Sequence, residues 1–288
     1  MGTSDENRKS WTKYDWQQQG DEWSEEWGGT EAMWGATILP RIRTFVPAAS
    51  ILEIAPGYGR CTQYLKDLCQ HLTLVDIAGN CIEACRQRFS ASKHITYHVN
   101  DGKSLAMIPD QSVDFVFSYD SLVHAEADVI EAYLDQLATK LTPHGVGFVH
   151  HSNLGIYRNS RKTLPFYIDN RQNGSNWRGA SMTARAFEEY CQRVGLQCIS
   201  QELINWHPRY SLRLVRPGGW LHRWSQKAKL EHISEPLIER FSRVINDCFS
   251  VFTPQNSKWA RTNKVVLNKR FMDEVRYIAR LSELYTFK

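Results

Sequence analysis

Ile51-Leu52-Glu53-Ile54-Ala55-Pro56-Gly57-Tyr58-Gly59-Arg60-Cys61-Thr62 is the stretch that decides how the chain folds. An apolar run ending at Ile54 predicts a buried strand, and two glycines predict a tight turn. A helical pattern then runs from about 59 to 70. A strand that passes through a glycine turn into a helix brings backbone close to a ligand at the helix N-terminus. The next apolar run, Leu72 to Asp76, ends on an acid 17 residues after Gly59. A carboxylate there can accept both hydroxyls of a ribose.

The same alternation continues outward. Residues 94–99, 113–118 and 146–151 complete five candidate strands, with helical segments near 78–89 and 125–141. Near-continuous apolar strands separated by helices predict a parallel sheet covered on both faces. Ser181 or Thr183 is placed to cap a helix that Gly195 ends. Residues 196–206 read as a sixth strand and 245–253 as a seventh. The stretch 269–285 is helical in pattern. Pro217-Gly218-Gly219 punctuates an insert at about 207–244. The expected architecture is an α/β, Rossmann-like sheet of about seven strands, mostly parallel and flanked by helices. A helical lid over 1–47 precedes a core over 48–288, with additions after strands five and six.

The turn narrows the choice of nucleotide. A dinucleotide fingerprint needs Gly-x-Gly-x-x-Gly, and this register supplies Ala55, Gly57 and Arg60. Arg60 stands where glycine would permit close helix–strand packing. No Gly-Lys-Ser/Thr follows, so a Walker loop is excluded. Glu53 would repel a pyrophosphate but suits a cationic aminoacyl group. Taken singly, Asp76 is also a reasonable helix cap and Asp101-Gly102 an ordinary turn.

Glu53-x-Ala55-x-Gly57-x-Gly59 resembles the first motif of class I S-adenosylmethionine-dependent methyltransferases, with Ala55 in place of the first glycine. The resemblance covers about residues 48–154. It implies S-adenosylmethionine as cofactor, Asp76 as the ribose-binding acid and Ile77 beside the adenine. Asp101 and Gly102 would lie near the adenine amino group, and Ser118 and Tyr119 near the methyl group. Strand four ends in Ser118-Tyr119-Asp120-Ser121, without the Asn/Asp-Pro-Pro-Tyr/Phe that similar enzymes use on planar amines. That argues against nucleobase and glutamine-side-chain acceptors. The strand-four end is similar instead to that of bacterial small-molecule methyltransferases, including those acting on sugars.

Transfer to a hydroxyl needs a base, and histidine is the usual agent near neutral pH. His124 follows strand four, and His150-His151 end strand five. Adjacent strand residues face opposite ways, so one of the latter pair can face the pocket. His151, nearer the loop, is the favoured base, with His124 its rival and Tyr119 shaping the methyl site. Each histidine is also plausible as a hydrogen-bonded wall residue. Transfer to an aliphatic amine would need no strong base. A ligand-binding role without catalysis, or an RNA or protein acceptor docked on a basic insert, are further readings.

The chain has 288 residues, 42% hydrophobic and 23% charged, with a formal net charge of +4. That charge is too small to argue for nucleic acid by itself. No apolar run approaches a membrane span, and MGTSDENRKSW has no apolar signal core. Seven scattered cysteines fit reduced thiols in a cytoplasm, and their spacing predicts no metal site. Trp11, Tyr14, Trp16, Trp23, Trp27 and Trp34 crowd the first 34 residues. A stretch so aromatic either packs onto the sheet or closes over a ligand, which makes Tyr14 and Trp34 candidate substrate contacts beside Asp120, Trp177 and Arg178. Arg209, Arg213, Arg216, Arg223, Lys227 and Lys229 make the insert basic. It suits an anionic small-molecule substrate, a solvated face or a contact in a homo-oligomer.

Overall fold

Apolar residues occupy both faces of the central strands, so the sheet needs cover on both sides. The computed structural model describes residues 3–157, 178–206 and 245–285. Its strands are β1 (Ala48–Ile54), β2 (Cys69–Asp76), β3 (Ile95–Val99), β4 (Val113–Ser118), β5 (Leu141–Ser152), β6 (Leu196–Ile204), β7 (Asp247–Pro254) and β8 (Lys264–Asn268). They form one sheet in the order β3-β2-β1-β4-β5-β7-β6-β8. β7 runs antiparallel to β5 and β6, and the remaining pairs are parallel. The strand order reverses between β1 and β4. Crevices at such switch points, beyond the carboxyl ends of the strands, are where open α/β sheets bind ligands.

The helices are α1 (Ser4–Lys13), α2 (Thr30–Met33), α3 (Leu39–Ile42), α4 (Thr62–Leu65), α5 (Gly79–Arg88), α6 (Ala127–Lys140), α7 (Ala184–Arg193) and α8 (Phe271–Tyr285). On α6, Val129, Ile130, Tyr133, Leu134 and Leu137 are buried, the stripe expected of a helix lying on a sheet. They join Leu52, Val116, Val149 and Phe187 in the core on one face. The other face holds Ile51, Phe115, Phe117 and Phe148, covered by Trp27, Met33, Ile38, Ile42 and Val275. Of the two expected caps for α7, Thr183 is the one used: its Oγ1 accepts from the Ala186 backbone N–H at 2.9 Å. Gly195 follows at φ +80°. Among the described residues no helix is long and apolar enough to cross a membrane.

Two features differ from the sequence reading. The sheet has an eighth strand, β8, whose Val265, Val266 and Leu267 are all exposed. The reading missed it because the run is short, edged by Lys264 and Asn268, and shows no buried-strand alternation. The stretch 1–47 also divides in two. Residues 30–42 are a continuous helical run with a π-helical stretch at Trp34–Ile38, and Met33, Ile38 and Ile42 are fully buried in the core. By contrast α1, started by a Thr3/Glu6 capping box, has no buried residue. The insert at 207–244, with its basic residues, lies outside the described residues.

β5 and β7 approach closely at Gly147, where a Cβ would meet the Phe252 ring at 2.2 Å. Gly147→Ala is therefore expected to destabilise the fold by about 1–3 kcal/mol. A lower urea midpoint at unchanged m-value would show it, and an unchanged midpoint would contradict the packing described.

Candidate functional site

The crevice opens where β1 ends. Ala55, Gly57 and Gly59 all have positive φ, at 58°, 58° and 88°. For Ala55 this is a strained conformation, costing about 1–2 kcal/mol. It is held from both sides: its N–H donates to Val75 O at 2.7 Å, and its carbonyl accepts from Ser121 Oγ at 2.7 Å. Gly57 needs its missing side chain for space as well, since a Cβ would stand 2.9 Å from the Trp16 ring.

Two carboxylates flank the turn. Glu53 is 3% exposed and accepts from Thr62 Oγ1 at 2.6 Å. Burial pushes its carboxyl up to about 8, against the pull of that hydrogen bond. Asp76 ends β2 and accepts from Gly57 N–H at 3.1 Å through Oδ2 and from Ala78 N–H at 2.8 Å through Oδ1. Burial raises it to about 6 although these backbone donors favour the charge. Each Asp76 oxygen takes one of these bonds, which leaves acceptor capacity on both.

The opposite wall is the end of β4. Asp120 sits at φ 57° and pairs with Arg60 at 2.9 Å, both side chains a tenth exposed. Arg60 also donates to Ser24 Oγ at 3.3 Å and lies 5.5 Å over the Tyr119 ring. Behind this pair, the Asp120 N–H donates to His150 Nδ1 at 3.2 Å. His150 Nε2 therefore carries the proton, and it stands 3.3 Å from Asp247 Oδ2. Asp247 in turn takes a two-pronged contact from Arg178 at 2.7–2.9 Å. Burial would raise the Asp247 carboxyl, but Arg178 and His150 together hold it well below the usual range.

Strand parity is as predicted, but its phase is the reverse of the favoured one. His150 faces the Tyr119–Asp120 side, while His151 points into the other core, stacked on Phe187 with centroids 4.5 Å apart. His151 Nδ1 donates to Ser152 O at 2.9 Å, so Nε2 accepts from Ser250 Oγ at 2.8 Å. Burial lowers its pKa to about 4. Fully enclosed and committed at both nitrogens, His151 is a core histidine rather than a base. His124 is different. It closes a short 3-10 turn after β4, Leu122–His124, and is buried at 7% exposure with its ring 5.0 Å from that of Trp11.

The N-terminal segment crosses this mouth. Trp16 stacks on Tyr58 at 4.6 Å, and Tyr14 packs against Trp16 and Trp23. Burial and Glu22 raise the Tyr14 hydroxyl to about 12. Asn7 Nδ2 donates to His124 O at 3.2 Å, and Asn80 Nδ2 donates to Trp11 O at 3.5 Å. Ser4 lies over Gly102, beside Ile77. Ser4 Oγ, Asn7 Oδ1 and Asn80 Oδ1 are buried here without a partner, so polar groups gather where the resemblance would put a nucleoside.

The remaining predicted residues are scattered. Ser118 is fully buried, its hydroxyl unpartnered like that of Tyr119. Asp101 is exposed and accepts from the Lys103 and Ser104 backbone at 2.9 and 2.7 Å, serving its own turn. Trp34 stacks on Tyr64 at 4.9 Å inside the core, away from the crevice and not a substrate contact in this arrangement. Asp120 and Arg178 hold the ion pairs described above. Trp177 lies outside the described residues. Arg60, His150 and Asp247 were missed as partners; the available signal was a charged or imidazole side chain inside an otherwise apolar run.

Residues 51–145 match the family model described as a methyltransferase domain. The fold is shared with a chain of the complex between the Haloferax volcanii Trm112 methyltransferase activator and an inferred methyltransferase, at TM-score 0.51 and 16% identity over 81% of this chain and 96% of that one. An inferred methyltransferase from Bacillus halodurans C-125 aligns at TM-score 0.52 and 11% identity, over 76% and 97%. Ribosomal RNA small subunit methyltransferase A of Coxiella burnetii (strain Dugway 5J108-111) is 36% identical over 52 residues, 18% of this chain and only 20% of that protein. Residues 51–145 are thus a methyltransferase domain, and the surrounding sheet has the fold of these structures. S-adenosylmethionine fits the groups gathered here: Asp76 and the unpartnered polar atoms would suit its nucleoside, and Glu53 its aminoacyl end.

Calorimetric titration with S-adenosylhomocysteine should show affinity at least tenfold weaker for Asp76→Asn than for the parent protein. Equal affinities would remove Asp76 from the cofactor site. Glu53 also predicts a pH dependence. The folded protein keeps a proton that the unfolded chain releases near pH 4.5, so this group's stability is full below 4.5 and is lost as pH rises toward about 8. Denaturation of cofactor-free protein should show Glu53→Gln gaining on the parent between pH 5 and 8, by up to about 3 kcal/mol. A constant difference across that range would contradict the burial of Glu53.

Proposed function

We propose that this protein transfers a methyl group from S-adenosylmethionine to a hydroxyl of a small metabolite, a sugar or glycoside. The cofactor supplies the methyl as an electrophile, and the chain positions the acceptor, excludes water and receives a proton. Positioning and water exclusion supply much of the acceleration in such a displacement. The observation that carries the reading is the placement of His124. It closes the turn after β4 beneath the Trp11 ring and keeps 7% of its surface exposed, whereas His150 and His151 keep none. His124 is the general base in this reading. Tyr119 acts from behind: its ring carries the Arg60–Asp120 pair and sets the floor of the methyl site. Trp11, Tyr14 and Trp16 roof the crevice, which favours a small acceptor over a polymer.

One observation favours a second reading, an aliphatic amine as acceptor. Trp11, Tyr14, Trp16 and Trp23 form one aromatic cluster, and Asp15, Asp21 and Glu22 lie in the same segment. Aromatic faces with nearby carboxylates attract a cation. Such an acceptor would lose its own proton to water and need no histidine.

His124→Asn separates the two. For a hydroxyl acceptor, kcat should fall about 100- to 1,000-fold, with S-adenosylhomocysteine affinity retained and the acid limb of the pH–rate profile lost. His151→Gln should leave that limb in place. If His124→Asn turns over at near the parent rate, the base is elsewhere and amines become the acceptors to pursue.

A further inference from the structure

β8 is the outermost strand of the sheet, so one of its edges pairs with nothing else among the described residues. Natural edge strands are usually protected by an inward charge, a proline or a bulge. None interrupts Val265-Val266-Leu267, which are 55%, 45% and 49% exposed. The apolar surface continues onto α8. Tyr277 is 62% exposed, and Leu284 and Tyr285 lie about two turns further along. Of the large hydrophobic residues exposed on the described surface, most fall within residues 265–285.

The edge is complementary to a second copy of itself. In an antiparallel pairing about a two-fold axis at Val266, Val265 meets Leu267 of the other copy, and Lys264 meets Asn268. No like charges stand opposite each other, which would destabilise the pair. Asn268 already donates to Glu274 Oε1 at 3.1 Å and to Glu202 Oε1 at 2.9 Å. That places two carboxylates beside the position Lys264 of the second copy would reach. The Glu274 side chain is half exposed, and Lys264 is exposed. The two-fold makes this contact twice. Tyr277 is one turn after Glu274 and on the same side of α8, next to the join.

We propose that two copies of this chain associate through β8, extending the sheet across the interface, with Lys264 of each copy against Glu274 of the other. The crevice at β1 and β4 lies several strands away, so each copy keeps its own site. An isologous two-fold contact of this kind closes on itself and uses the β8 edge of both copies.

Sedimentation of the full chain across the micromolar range tests this. The parent protein is expected as a dimer, and Val266→Lys is expected to weaken the association at least tenfold, sedimenting with half the mass. S-adenosylhomocysteine binding by the variant shows that it is folded. Lys264→Glu should also weaken the dimer, and adding Glu274→Lys should restore it, an outcome that a loss of folding cannot produce. A parent protein that stays monomeric throughout, or a dimer that survives both single substitutions, overturns the proposal.

Discussion

The buried ion pair between Arg60 and Asp120 is the join on which the crevice depends. Arg60 comes from the turn after β1 and Asp120 from the end of β4, the two strands between which the order of the sheet reverses. Both charges are nearly out of water. Such a pair gives little net stability against an apolar substitute, but removing one partner strands the other, at about 3–5 kcal/mol. Here the pair also fixes geometry. Its third contact, Arg60 to Ser24, brings in the N-terminal segment, so the turn, the end of β4 and that segment meet on one guanidinium. Asp120 keeps a positive φ because its side chain is held by Arg60 while its N–H is directed at His150.

From Asp120 the polar chain passes through His150 and Asp247 to Arg178, crossing the carboxyl ends of β4 and β5 and the start of antiparallel β7. Two arginines and two carboxylates balance, and the imidazole between them accepts from the Asp120 N–H and faces Asp247 at 3.3 Å. A network that is charge-neutral and mutually oriented can sit in a low-dielectric interior where a single charge could not. It explains how β7 begins on an aspartate: Asp247 is the anchor for a segment arriving after β5, not a solvent-facing strand residue. His150 is used here as a strut between strands.

How much of this was legible in sequence follows from the range of the interactions. The turn at Glu53–Gly59 and the acid at Asp76 are local patterns, and the strands from β1 to β7 announced themselves by apolar runs. The histidine phase was not local. Val149 and His151 face one core while Phe148 and His150 face the other, and only the helices packed on each side decide which face borders the crevice. Proximity to the loop was the wrong guide. Arg60 was noticed for the glycine it replaces, whereas its partners lie 60 residues ahead and 36 behind. β8 was invisible because an exposed edge strand lacks the alternation that burial imposes on a sequence.

The first 42 residues contain two pieces with different energetics, and the difference bears on what the crevice can do. Residues 30–42 insert Met33, Ile38 and Ile42 into the core, and Trp27 Nε1 donates to Thr37 Oγ1 at 2.8 Å. Each such side chain is worth about 1.5–3 kcal/mol on burial, so this piece moves only if the fold does. α1 buries no whole residue. It is held by ring contacts to His124 and the Trp16 cluster and by single hydrogen bonds at Asn7 and Asn80. Ser4 Oγ, Asn7 Oδ1 and Asn80 Oδ1 at its contact surface are unpaired, each costing about 1–3 kcal/mol. Local opening follows the least stabilised unit. The element that covers the crevice and touches His124 is thus held by less burial than the helical run that follows it.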